Sequence, residues 1–470
     1  MPGAGPSEYR LQPDRPTGHD QGMKVTVAQG YKPQMHKDLL NSEYVCWKAF
    51  LQAADVWDRR QIEAYQLRQV SKIVSFAYEN SRGYRELFDR YGASPDEIGS
   101  LEDFRKFPFV TKEMLRDNLE EFAVSMPGSR YVTTGGSTGI PFGFYRNDDA
   151  FSKELASKAH QYHRIGWKEG QRQLVLRGLP IPGEDHVEYR PEFNELRCSS
   201  YHLQDDAMEL YRRYALEYEP QWVRCYPSSG YVFAKFLKHS GRAFPRVKGV
   251  LCASENLYDF QKELLGEVFG GRVFSHYGHY ELSALASFCE YEDTYHVLPQ
   301  YGYVELIDSQ GQPVTEPGRQ GEIVATSFIM RATPFIRYRT QDVAVLKGWG
   351  CQACGRPYQI WERIEGSLQE FIVTGSGRRI SMTAVNMHDD TFDPIKQFQF
   401  HQRQMGRATL RYVPKPGCTA EDVQRIRARL LAKLGDDMEL TMQAVEDIPL
   451  TARGKHRFLI QQLDIGEFDR

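Results

Sequence analysis

Between Arg172 and Gly278 short apolar runs alternate with helical stretches, and no other feature of this chain limits its fold so sharply. "RQLVLRGL", "WVRCYP", "VKGVLCAS" and "GRVFSHYG" read as strands, while "SGYVFAKFLKHS" and "LYDFQKELLGEVFG" read as helices. Strands separated by helices have room for crossover connections, which predicts an α/β architecture with a largely parallel sheet. From Val297 onward the strands come without helices: "YGYVELID", the Gly/Pro-rich "SQGQPVTEPGRQ", then "GEIVATSF" and "AVLKGW". That pattern predicts a β-hairpin or a small barrel attached to the α/β body.

The flanks differ in texture. From about Lys37 to Ala93 the spacing is helical, with Ala64, Leu67, Val70, Ile73, Val74 and Ala77 on one stripe. Helix starts are expected at Ser94 or Ser100 and at Thr111, each followed by an acidic residue. Beyond Gly366, "EFIVTG", "ATLRYVP", the charged helix "AEDVQRIRARLLAKLG" and "MELTMQAV" suggest a separate α+β unit. At 470 residues, two or three domains are expected. The first residues, "MPGAGPSEYRLQPDRPTGHDQG", are polar and Pro/Gly-rich, so 1–30 is expected to be a flexible extension, with Met23 an alternative start.

Charge and composition exclude several classes of function. Against 62 acidic residues stand 59 basic ones, so no basic excess exists to hold nucleic acid or an anionic membrane. No apolar run approaches 18 residues, so no membrane-crossing helix is expected. Eight scattered cysteines without a secretion signal point to the reducing cytoplasm, and to metal binding or burial rather than disulfides.

Four stretches could carry chemistry. In "YVTTGGSTGIPFGFY", Thr134, Gly135, Gly136, Ser137, Thr138 and Gly139 supply glycines that let a backbone turn around phosphate and hydroxyls that donate to it. A plain linker fits the same composition. In "SHYGHYE", Glu281 could hold Mg²⁺ and Tyr277 could stack on a base, although a structural aromatic turn reads the same way. In "TPFIRYRTQDVAVL", Asp342 could accept from ribose hydroxyls or be a turn carboxylate paired with Arg337 or Arg339. In "IPLTARGKHRF", Lys455 is a flexible cation that could reach an anionic substrate, or simply one lysine among many.

Together and in this order, "TGGSTGIP", "YGHYE", "RYRTQD" and "PLTARGK" resemble the motifs of the adenylate-forming superfamily of acyl-CoA synthetases, peptide-synthetase adenylation domains and luciferases. "AYENSRGYRELFDRYGASPDEIGSLEDFRKFPFVTKEMLRDN" and "RCYPSSGYVFAKF" are similar to the branch of phenylacetate-CoA ligases and CapK-like proteins. The resemblance implies a large N-terminal adenylate-forming domain with mixed sheets (31–365) and a small mobile α+β C-terminal lid domain (366–470). It implies ATP-dependent conversion of a carboxylic acid, aromatic or otherwise compact, to acyl-AMP with release of pyrophosphate, followed by transfer to CoA. Transfer to an amine is the alternative. A non-catalytic nucleotide-binding scaffold is the rival, and retention of Thr138, Glu281, Asp342 and Lys455 together argues against it.

On the family pattern, Thr134 to Thr138 and Gly139 would hold the ATP phosphates, and Glu281 with Thr138 would hold Mg²⁺. Ser254, Glu255, Tyr277 and Gly278 would border adenine, and Asp342 would bind ribose. Lys455 would approach the reacting carboxylate and α-phosphate. Tyr226, His276 and His279 are the residues expected beside the acid. Departures exist. Ile140 and Phe142 stand where the phosphate loop usually has a Lys, and Gln341 replaces a Gly. Ser367 and Gln369 replace the Arg and Asp of the branch's hinge, so the resemblance reaches further over adenylation than over thioester formation. Expected partners are the acid, CoA or an amine, and a second copy of the chain.

"GCQACGRPY" contains a Cys351–Cys354 knuckle, and Cys289 and His296 lie upstream. A Cys₃His set suits structural Zn²⁺, and some relatives in the branch carry cysteines here; reduced, partly buried cysteines are the alternative.

Overall fold

The computed structural model describes residues 36, 39, 41–133, 142–178, 181–367, 371–385, 390–392, 394–449 and 457–463. The phosphate-loop residues Thr134 to Gly139 and Lys455 lie outside the described residues, as do Ile140, Gln369 and the N-terminal extension.

Helices α1 (Ser42–Ala54), α2 (Arg59–Asn80) and α3 (Arg82–Tyr91) open the chain. Each is started by a side chain that accepts a backbone N–H, from Asn41, Asp58 and Ser81 in turn. The buried stripe of α2 is Ile62, Tyr65, Val70, Ile73, Val74 and Ala77. The expected stripe is therefore correct from Val70 onward. Ahead of it Ile62 and Tyr65 face inward, whereas Ala64 is exposed. Ser100 and Thr111 cap the short helices Leu101–Phe104 and Lys112–Asp117, as expected.

A hairpin of β1 (Arg130–Thr133) and β2 (Gly143–Arg146) flanks the glycine-rich loop, and α4 (Asp148–His163) follows it. The body is a 12-stranded sheet. Its parallel part runs β5 (Glu195–Ser199), β3 (Gln173–Arg177), β6 (Trp222–Cys225), β7 (Gly249–Ala253) and β8 (Arg272–Gly278). Crossovers α5 (Asp205–Tyr218), α6 (Pro227–Ser240) and α7 (Asp259–Phe269) supply the parallel connections that the alternation predicts. An antiparallel edge strand, β4 (Val187–Arg190), pairs with β5.

Beyond β8 the sheet turns antiparallel through β9 (Leu285–Phe288), β10 (Tyr295–Val297), β11 (Gly302–Ile307), β12 (Gln320–Ser327), β13 (Tyr338–Trp349) and β14 (Gln359–Ser367). The expected hairpin forms between β11 and β12. It is not part of a separate barrel, because β14 pairs with both β13 and β10 and so joins these strands to the main ladder. Two small sheets and α8 (Ala420–Leu434) follow β14. Their core includes Ile372, Phe400, Leu410, Ile426 and Leu430, and Tyr258 of the large sheet's α7 approach is buried in the same cluster.

Side-chain alternation gives the parallel strands two distinct faces. Leu174, Leu176, Val223, Cys225, Val250 and Cys252 pack with α5, α6 and α7, whereas Trp222, Leu251 and Phe274 pack with Tyr162 of α4. At the antiparallel end, Arg337 is only 4% exposed and meets Glu305 through two 3.1 Å contacts. Its remaining nitrogen donates to the carbonyls of Arg105 and Phe107, and its guanidinium lies 4.1 Å from the Phe109 ring centre. Removing one member of a buried pair strands the other charge, at a cost of about 3–5 kcal/mol. Glu305→Ala is therefore expected to lower the unfolding free energy by about that amount in denaturant titration. A loss below about 1 kcal/mol would show that the pair is not a structural tie.

Candidate active site

The carboxyl ends of β3, β6, β7 and β8 open on one edge of the sheet, where open α/β sheets bind ligands. Tyr226 follows β6 and precedes the first turn of α6. Ser254 follows β7 in a left-handed conformation (φ 70°) and accepts from Arg177 Nη2 at 3.0 Å. Next to it, the Glu255 carboxylate accepts from the Ser228 amide at 2.9 Å and hydroxyl at 3.0 Å, an anion placed at the positive end of a helix. His276 Nδ1 lies 2.6 Å from Tyr162 Oη, and burial together with Lys158, Arg177 and Arg224 drives its pKa well below the usual value. That imidazole is neutral.

The turn after β8 gathers charge around Glu281, which is 5% exposed. Its Oε2 lies 3.2 Å from His279 Nδ1, and its Oε1 accepts from Tyr338 Oη at 3.1 Å. His279 Nε2 in turn lies 3.1 Å from Ser283 Oγ. Lys112 Nζ stands 3.7 Å from the Glu281 carboxylate. Burial raises the Glu281 pKa, but the His279 contact and the nearby Lys112 charge outweigh it and hold the group down at about 2. An ionised carboxylate in so enclosed a place suits a hard divalent cation such as Mg²⁺.

Lys112 is a residue that the sequence reading missed; "TKEML" signals only a helix start. Its ammonium is 5.9 Å from the ring centre of Phe142, the position where a phosphate-loop Lys is missing. A cation thus reaches that neighbourhood from another segment. Arg177 was missed in the same way, since nothing local in "VLRGL" marks it.

Asp342 resolves the alternative left open by its two neighbouring arginines. Arg337 pairs with Glu305 and Arg339 with Glu322, so neither pairs with Asp342. Instead its Oδ2 accepts from Tyr277 Oη at 2.7 Å, and its amide donates to Thr340 Oγ1 at 3.1 Å. Burial raises the Asp342 pKa, opposed by the Tyr277 hydrogen bond. Gln341 keeps the left-handed backbone (φ 65°) that the replaced Gly would adopt without a Cβ penalty.

A second cluster brings together Cys289, His296, Cys351 and Cys354, with all four donor atoms within 4.8 Å of one another. Gly355, at φ 77°, closes the knuckle by donating its N–H to the Cys351 carbonyl at 2.9 Å. His296 Nδ1 lies 3.7 Å from Cys354 Sγ. With Zn–S about 2.3 Å and Zn–N about 2.0–2.1 Å, a tetrahedral site needs an S–N edge of about 3.6 Å, so the donor set fits. Cys351 lies beyond the far end of β13 from Asp342, whereas His296 is in register through Ser287 with His276, two strand spacings or roughly 10 Å from β8.

Of the residues expected at the site, the structure gathers Tyr277, Gly278, His279, Glu281 and Asp342 on one side and Tyr226, Ser254, Glu255 and His276 on the other. Comparison with known proteins bears on the fold and the relatives of the chain. Residues 372–462 match the family model of the CapK C-terminal domain. The chain is 26% identical over 324 residues to phenylacetate-coenzyme A ligase of Pseudomonas putida, covering 66% of this chain and 72% of that one. It is 20% identical over 410 residues to protein CapK of Staphylococcus aureus, covering 85% and 89%. Among solved structures, 2-hydroxyisobutyryl-CoA ligase in complex with 2-HIB-AMP superposes with a TM-score of 0.70 at 16% identity, over 88% of this chain and 92% of that one. The GH3.15 acyl acid amido synthetase superposes at 0.58 with 13% identity, over 82% and 86%. A C-terminal match to the CapK model, phenylacetate-CoA ligase and CapK relatives at 20–26% identity and a shared fold thus make the chain similar to the phenylacetate-CoA ligase and CapK-like branch of the adenylate-forming ligases.

Proposed function

We propose that this chain joins ATP to a carboxylic acid: a carboxylate oxygen attacks the α-phosphorus, pyrophosphate leaves, and acyl-AMP forms. The observation that carries this reading is the pairing of an ionised, buried Glu281 with the Tyr277–Asp342 hydrogen bond on adjoining strand ends. Glu281 holds Mg²⁺, which screens the phosphate charge when bound. Asp342 orients the ribose, Tyr277 and Gly278 with Ser254 and Glu255 border adenine, and Thr134 to Gly139 wrap the β- and γ-phosphates. Lys112 adds a positive charge beside Phe142 and so offsets the Lys absent from the loop. Lys455 approaches the reacting oxygens, where a cation stabilises the charge that builds up as the bond forms.

The split near Gly366 makes the C-terminal unit a lid that carries Lys455 in and out. Gly366 has φ 96° at the end of β14, a backbone suited to a pivot. Thioester formation with CoA is the second half-reaction we assign, by kinship with the phenylacetate-CoA ligases. The altered hinge at Ser367 and Gln369 favours a second reading in which an amine takes the acyl group. In either case the Cys289–His296–Cys351–Cys354 set holds a structural Zn²⁺ that pins β9, β10 and the β13–β14 turn together.

ATP–pyrophosphate exchange across a panel of acids tests the first half-reaction. Lys455→Ala is expected to lower exchange about 10²-fold or more, as loss of one transition-state cation does elsewhere. Exchange undiminished in that variant removes Lys455 from the chemistry, and no exchange with any acid, despite ATP binding, favours a scaffold. Adding CoA or candidate amines then separates thioester from amide product. For the metal, elemental analysis should find one zinc per chain, lost in Cys351→Ser together with a lowered Tm. A native, fully stable protein without zinc overturns the assignment.

A further inference from the structure

The sheet face that looks toward α4 is apolar in its lower rows and charged at its upper rim. Val175, Arg224, Leu251 and Phe274 are cross-strand neighbours, which sets Arg177, Tyr226, Ala253 and His276 in the row above them. The side chains of that upper row point to the α4 side, as the Tyr162–His276 contact requires.

Three cations act on this rim. Lys158 is held by Glu154 at 2.5 Å and Arg224 by Glu195 at 2.6 Å. Arg177 has no carboxylate partner among the described residues. Its guanidinium lies 4.9 Å from the centre of the Tyr226 ring and makes one hydrogen bond, to Ser254. A guanidinium carries five N–H donors in a planar fork that matches a carboxylate two atoms at a time. Held flat by an aromatic ring and a serine, this one is oriented before any ligand arrives, which lowers the ordering cost of binding.

Arg177 touches Ser254, on the loop assigned to adenine, but it stands away from the residues assigned to Mg²⁺ and ribose. Three strand spacings, about 4.8 Å each, lie between β3 and β8, so Arg177 is roughly 14 Å across the sheet from the strand leading to Tyr277 and Glu281. Tyr226 and His276, the residues expected beside the acid, occupy the same row. An acid whose reacting carboxylate is near Glu281 extends along this row toward Arg177.

We propose that the acid activated here carries a second carboxylate, and that Arg177 receives it while the first is adenylated. This rests on the adenylation reading above and specifies its substrate class. A monocarboxylic acid would leave the partly exposed Arg177 fork to water and forgo the charge-assisted pair. The aromatic enrichment of the chain then belongs mainly to packing and to the Tyr226 support under Arg177.

The test is ATP–pyrophosphate exchange without any acceptor, using matched pairs: hexanoate against adipate, and benzoate against terephthalate. The dicarboxylate of at least one pair should be preferred in kcat/KM. Arg177→Gln should raise its KM about 10–100-fold, the loss expected for a charge-assisted bidentate contact. The same variant should bring the diacid-to-monoacid ratio of kcat/KM toward one while keeping the wild-type Tm, which shows that it is folded, and Arg177→Lys should recover part of the preference. Monocarboxylates preferred by the wild type, with Arg177→Gln neutral for both classes, overturn the proposal but leave adenylation standing. An Arg177→Gln variant with normal diacid exchange but a raised KM for an amino-acid acceptor moves the carboxylate to the acceptor and likewise overturns it. No exchange with either class removes the adenylation reading itself.

Discussion

An ionised carboxylate in an almost dry setting is unstable by itself, and the site depends on how Glu281 is kept charged. Burial alone would protonate it. His279, Tyr338 and Lys112 together reverse that tendency, and each comes from a different part of the chain. Lys112 is brought in by the N-terminal helices, Tyr338 by β13 and His279 by the turn after β8. The carboxylate is therefore held ionised only when three regions have docked. Folding of the N-terminal helices onto the antiparallel strands is, in this sense, part of the chemistry.

Much of this was legible in the sequence, and the reasons for success and failure are physical. Strands β3, β6, β7 and β8 stood out because they are buried on both faces and so read as unbroken apolar runs. Helix α4 did not stand out. Its inward positions include Glu154, His160 and Gln161, so it lacks the apolar stripe by which a helix is found. The hairpin of β4 and β5 was hidden likewise, since "VEYR" and "ELRCS" carry charges that pair within the sheet rather than an apolar alternation. In α2 the local pattern placed Ala64 inside, but the larger Ile62 and Tyr65 won the burial.

Single-residue motifs behaved differently. "YGHYE" and "RYRTQD" were ambiguous alone, and the ambiguity over Asp342 was a question of pairing. Arg337 and Arg339 each had a carboxylate waiting on another strand, Glu305 on β11 and Glu322 on β12, which left Asp342 to Tyr277. Those partners lie 17 to 65 positions away along the chain, out of reach of any local pattern. Lys112 and Arg177 were invisible for the same reason: a lysine at a helix start and an arginine at a strand end gain meaning only from what the sheet sets beside them.

The departures from the family pattern then take on a common character. Where Gly is replaced by Gln341 the left-handed backbone persists, at a conformational cost of about 1 kcal/mol that β13 and the Glu322 contact hold in place. Where the loop lacks its Lys, a lysine from a helix near Phe142 brings charge to the same neighbourhood. In both cases the geometry or the charge is conserved and the residue supplying it has changed. On the proposed acid side stands Arg177, a cation that none of the sequence motifs marks. On our proposal, compensation preserves the reaction, whereas a pre-oriented cation with no carboxylate partner among the described residues sets what the site accepts. On that proposal the nucleotide side keeps the charge and backbone its motifs call for, and the acid side owes its choice of substrate to Arg177.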